Sequence, residues 1–199
     1  MKALSTEFQK IRHHKVWLVV AAILFVQLLW EFWAFHGSTN RDLSQGWLYC
    51  LYQFPLLNSI MMPVVAAVVA SRLCDVEHKG NTFKLLETVI PSGKLFDSKF
   101  VCGATYLILA SLIQVIMIIL LGKLKNFTGD LPYALLGLYF LFTSAVNLAI
   151  LLLQQVLSLL FVNQMAALSV GLLGGLCGLF IMFFPTWLEK LVLWGYYGV

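Results

Sequence analysis

The chain has 199 residues, of which 61% are hydrophobic and only 11% charged, with a formal net charge of +4. Soluble domains carry about 25% charged residues. A mean hydropathy of +0.89 therefore excludes a water-soluble globule and makes the bilayer the solvent. The small positive excess then reports membrane orientation and not nucleic-acid binding.

Residues 2–15 are polar and basic but carry Leu4, Phe8 and Ile11 at i, i+4, i+7. That spacing puts all three on one helical face. It predicts a short helix lying in the membrane interface; the alternative is a plain basic tail that only fixes orientation. The apolar run 16–35 is about twice as long as a signal-peptide core, and no small-x-small cleavage site follows, so it reads as a retained first span. HGSTNRDLSQGW at 36–47 is a polar loop. The second span, 48–70, contains Pro55 and Pro63, which predict a kink or break. A charged island at 71–99 follows, then a third span at 100–121 and the short loop GKLKNFTGD.

From Leu131 to Leu188 no residue is charged. The stretch is too long for one span of roughly 20 residues and right for two. Spans four and five are placed at 133–155 and 165–184, with Asn163 and Gln164 at the turn. The tail PTWLEKLVLWGYYGV is rich in Trp and Tyr, like an interfacial belt. The expectation is an all-α integral membrane protein of about five transmembrane helices forming one domain over 1–199. With the N-terminus cytoplasmic, nine Lys and Arg fall on inner segments and Arg41, Lys123, Lys125 and Lys190 on outer ones. This excess favours N-in and makes the island cytoplasmic.

Within the island, Asn81 is a candidate N-cap. Phe83, Leu86 and Ile90 follow at helical spacing, Pro91 ends the helix, and Ser92 is placed to cap the next one. The result is a short helix with an apolar face flanked by Glu77, Lys79, Lys84 and Glu87. Such a face suits docking in the groove of a soluble partner. It also suits lying on lipid headgroups, and the residues alone do not choose.

The stretch EHKGNTFKLLETVIPSGKLFDSK at 77–99 resembles the permease subunits of type-2 ABC exporters. The shared pattern is an acidic segment after span two, a short helix, Pro-Ser, and a Lys-rich approach to span three. The opening EFQKIRHHKVW resembles the same family's basic interfacial helix running into span one. Among those permeases the chain is most similar to the lantibiotic-protection and bacitracin-resistance group. The resemblance implies that the island holds a cytoplasmic coupling helix seated on a separate ABC ATPase subunit. Its coupling residues would be Glu77, Lys79, Phe83, Leu86 and Glu87, passing the ATPase's movement to spans one, two and five. It further implies a second permease copy or a sister permease, with ATP and Mg bound by the partner and no cofactor bound here. Export of a peptide antibiotic across a bacterial plasma membrane would follow. The family usually has six spans. The tail resembles the start of the outer segment before a sixth, so truncation or loss of that span is expected. The rival reading is a non-transporting membrane adaptor that docks a cytoplasmic partner through 77–90.

Catalytic chemistry is not written in the chain. PSGKL at 91–95 lacks the first Gly and the Ser or Thr of a phosphate loop. GLLGGLCGL at 171–179 is better explained by close helix packing. His13 and His14 are neighbours and point about 100° apart on a helix, a poor chelate. The cysteines show no paired spacing, so they predict no metal site or disulfide framework. Glu31 is the one carboxylate inside a span. It is a candidate contact for a cationic substrate or a partner permease; otherwise it reaches the interface. Among the span amides, which are expected to bond across helices, Asn58 is the candidate for lining a path. Asn147 is a second candidate for the path or a subunit contact. A membrane enzyme would need clustered acids or histidines at depth, so no enzymatic activity is expected.

Overall fold

The structure, a computed structural model, describes residues 2–13, 15–36, 45–79 and 91–198. Among these the chain is helical, without strands. The helices are α1 (Lys2–His13), α2 (Val16–Ala34), α3 (Gly46–Lys79), α4 (Ser92–Leu124), α5 (Tyr133–Leu160), α6 (Gln164–Ile181) and α7 (Thr186–Glu189). A 3-10 helix over Leu193–Tyr197 follows. The five helices α2–α6 are long and apolar enough to cross a membrane. The loop at 37–44 and the expected island helix at 81–90 lie outside the described residues.

Helix α1 forms as its apolar spacing predicts. Ile11 is fully buried, and Leu4 and Phe8 pack against the core. Its apolar face therefore lies on the ends of α3 and α4, not only on headgroups. Lys15, in the left-handed region at φ 51°, makes the corner into α2.

Helix α3 is the axis of the bundle. It packs on α2, α4, α5 and α6. Some 61% of its spanning stretch is buried inside the protein, against 28–39% for the other four. Contrary to the break expected at Pro55 and Pro63, the helix runs through both. It also runs on to Lys79, so much of the expected loop 71–99 is helix. Each proline removes one backbone donor, and neighbouring helices cover the freed carbonyls.

The glycine face of α6 does this around Pro63. A Cβ on Gly175 would sit 2.8 Å from the Ile60 carbonyl oxygen, and one on Gly171 would sit 2.4 Å from the Ala67 Cβ. Only glycine lets the two backbones approach so closely. Pro91, with extended ψ of 134°, takes the N-cap position of α4, and Ser92 is its first helical residue; the cap falls one residue earlier than expected. Asn163 caps α6, accepting from the Met165 N–H at 3.0 Å.

Part of the tail folds back against the bundle, while Trp187, Leu191 and Tyr196 stay exposed. Trp194 lies over Gly174 and Gly178, where Cβ atoms would clash with it. The Tyr197 hydroxyl donates to the Asn147 Oδ1 midway along α5. At the same end, Phe35, Trp47, Tyr49 and Phe127 form a chain of ring contacts.

The close approach of α3 and α6 gives a direct test. Gly175→Leu should lower stability by about 1–3 kcal/mol through overpacking, read as a lower Tm of the detergent-purified protein. Gly137→Leu, with open space around its Cβ, should leave the Tm unchanged. Equal behaviour of the two variants would refute the packing account.

Candidate functional site

Two polar constellations interrupt the apolar bundle. The first closes the α1 end. Lys99, the residue before the expected start of span three, is 0% exposed. A buried ammonium must spend its three donors on acceptors, and Lys99 does. It donates to Glu77 Oε1 at 2.7 Å, to Glu7 Oε2 at 3.2 Å and to the Leu73 carbonyl at 2.6 Å. Lys10 donates to Glu7 Oε1 at 2.7 Å and to Glu77 Oε1 at 3.0 Å. Two cations and two carboxylates balance, as burial of charge requires.

Burial lowers the Lys10 ammonium's pKa, but its hydrogen bonds to Glu7 and Glu77 outweigh this and raise it above the usual 10.5. The Lys10 contribution to stability is thus fully present at neutral pH. It fades only as pH rises through that elevated value.

This cluster ties three elements together: α1 through Glu7 and Lys10, the end of α3 through Glu77, and the first turns of α4 through Lys99. It also brackets residues 80–90, with Glu77 three residues before that segment and Lys99 nine residues after it.

The second constellation lies at membrane depth. Gln27 of α2 donates to Asn58 Oδ1 of α3 at 3.0 Å. Gln114 of α4 donates to Gln27 Oε1 at 2.9 Å and to Asn58 Oδ1 at 2.8 Å. Asn58 donates to the Tyr139 hydroxyl of α5 at 2.9 Å, and that hydroxyl donates to Gln114 Oε1 at 3.0 Å. Four spans are cross-linked by one closed ring of amides. A satellite joins Asn147 to Ser111 at 3.0 Å and to Tyr197.

The residues singled out by sequence fall as follows. Glu77 is 1% exposed and is paired inside the chain with Lys99 and Lys10. Lys79 is the last residue of α3, and its side chain lies outside the described residues, as do Phe83, Leu86 and Glu87. Asn58 is fully buried with its amide satisfied inside the chain. Asn147 is fully buried too, bonded to Ser111 and Tyr197.

Glu31 does not reach the interface: it is 0% exposed, inside the bundle near Cys50 and Tyr139. Neither of its oxygens has a hydrogen-bond partner among the described residues. It stands one turn from Gln27 on the same face of α2, so the inward-facing side of that helix carries both polar residues. Sequence reasoning missed Gln27, Glu7 and the burial of Lys99. The i+4 spacing of Gln27 and Glu31 in an otherwise apolar span was the available signal.

A family model described as ABC-2 family transporter protein matches residues 3–178. The chain belongs to the ABC-2 transporter family. Searches of curated proteins and of solved structures found no match. The permease is a multi-pass integral protein of the cell membrane and the transmembrane component of an ABC transporter. The ATPase activity that drives such a transporter lies on an ABC ATPase partner.

Removing Lys99 leaves buried carboxylates uncompensated. Lys99→Met should cost about 3–5 kcal/mol, measured by unfolding in mixed detergent. Adding Glu77→Gln to it should recover part of that loss. A Lys99→Met variant as stable as wild type would remove the cluster from the account of this end.

Proposed function

We propose that this permease is one half of an exporter that removes a lantibiotic-like or other membrane-active peptide antibiotic. It pairs with a second copy or a sister permease and with ATPase subunits that bind ATP and Mg. The segment 77–90 is the coupling element, offering Phe83 and Leu86 to a groove of the ATPase. The permease residues form a single transmembrane domain and carry out no covalent chemistry.

The observation that carries the coupling reading is the bracketing of residues 80–90 by the buried ion cluster. A displacement of that segment meets Glu77 on one side and Lys99 on the other. Lys99 binds Glu7 directly and Lys10 joins Glu77 to Glu7, so α1, α3 and α4 receive the push together, and α1 passes it to α2 across the corner at Lys15. A flexible linker between spans would dissipate such a push; a charge-paired joint in which all three Lys99 donors are engaged does not. The antibiotic-peptide reading rests on the sequence resemblance at 7–17 and 77–99.

The test couples binding to work. Tagged permease is isolated from its native cell in mild detergent, and co-purifying proteins are identified by mass spectrometry. Wild type should bring down an ABC ATPase, and Leu86→Asp should lose at least about tenfold of it, as loss of a central apolar anchor predicts. Cells carrying Leu86→Asp should also become more sensitive to a lantibiotic. Retention of the ATPase by Leu86→Asp would sink the docking assignment. Loss of the ATPase with unchanged sensitivity would sink the substrate assignment alone.

A further inference from the structure

The face of α3 opposite the ion cluster carries a separate cavity. At 100° per residue, Arg72 and Asp75 point away from Leu73 and Glu77. With the turn between α5 and α6 they line an open-sided cavity of about 410 Å³. Its other walls include Asn163, Gln164, Met165 and Leu168.

Its depth is set by α3. The spanning stretch Gly46–Asp75 has 30 residues, which is about 45 Å of helix. A bilayer with its headgroup layers is about 40–45 Å thick. The cavity therefore sits at headgroup level on the α1 side.

The lining specifies a ligand. Arg72 is exposed and has no ion pair or hydrogen bond among the described residues. In the first turn of α6 the Met165 and Ala166 N–H groups are already taken by Asn163, so Arg72 is the group that offers donors to a phosphate. Two acceptors stand against it. Gln164 Oε1 is buried and receives no donor, and Asp75 is a buried carboxylate already engaged within the protein.

Arg72 and Asp75 cancel in formal charge, which fits a ligand of zero net charge. The unsatisfied acceptor on Gln164 asks for an N–H donor. Met165, exposed to the lipid, and half-buried Leu168 continue the lining as an apolar wall. We propose that this cavity binds the phosphoethanolamine headgroup of a membrane phospholipid. Its phosphate lies on Arg72, and its ammonium toward Gln164 and Asp75. A phosphocholine group lacks the N–H, and a phosphoglycerol group lacks the positive charge.

The experiment needs no ATPase, so its outcome is independent of the coupling assignment. The full chain in detergent is titrated with phosphatidylethanolamine, phosphatidylcholine or phosphatidylglycerol, and retained lipids are counted by native mass spectrometry. Wild type should retain phosphatidylethanolamine about tenfold more strongly than either rival. Arg72→Gln should abolish that preference, Gln164→Leu should narrow the margin over phosphatidylcholine, and Lys190→Gln should change nothing. Equal retention of all three lipids would overturn the assignment, as would a preference for phosphatidylglycerol or a preference unaltered by Arg72→Gln. Displacement of the bound lipid by millimolar inorganic phosphate alone would also overturn it, since the site would then be one for free phosphate.

Discussion

The α1 end of this protein depends on one buried ammonium. Lys99 has no water to fall back on, so its three donors fix the positions of Glu77, Glu7 and the Leu73 carbonyl. That requirement brings α1 under the bundle and sets where α4 starts relative to where α3 ends. A hydrophobic substitute of the same volume would pack here as well or better, because paired buried charges seldom stabilise more than apolar packing. What the ions add is directionality. They hold three helix ends in one geometry, and none can move without stranding a charge.

The amide ring extends the same logic into the bilayer. Helices in lipid gain little from apolar contact with each other, since lipid tails are equally apolar. Gln27, Asn58, Gln114 and Tyr139 give α2, α3, α4 and α5 a reason to associate in one register. Helix α6 carries no member of the ring. It joins instead through glycines seated on the carbonyls around Pro63, a contact of shape and not of hydrogen bonds. The bundle thus has a polar-locked part, α2–α5, and a steric-locked part, α6 with the returning tail.

Much of the fold was legible because membranes impose a simple rule. Twenty apolar residues are a span, and the five long apolar helices lie where hydropathy puts them. Asn163 was readable as a turn because its amide caps α6. The prolines in α3 do not break the helix, and at Pro63 the glycines of α6 lie against the carbonyls of that turn. In the tail, Trp and Tyr read as interfacial by composition; Trp187 and Tyr196 stay exposed, whereas Trp194 enters a socket at Gly174 and Gly178 that only the tertiary structure reveals. The partners of Glu77 inside the chain, Lys99 and Lys10, are 22 and 67 positions away in sequence, a separation that no local pattern encodes.

The two functional layers share a single helix, and this limits how the permease can move. Helix α3 carries Glu77 at one end, Asn58 near its middle and Trp47 in the aromatic cluster at the other. A rigid shift of α3 driven from the Lys79 end displaces Asn58 from an amide ring in which its hydrogen-bonding groups are engaged. An amide left unpaired at that depth costs of order 1–3 kcal/mol. A second arrangement of the bundle is therefore reachable only if it offers new partners to the ring. Glu31, one turn from Gln27 on the same face of α2, has neither oxygen engaged among the described residues, and offers an acceptor to a displaced amide donor. In the present arrangement it is an uncompensated cost; in a shifted one it would repay the ring's lost hydrogen bonds.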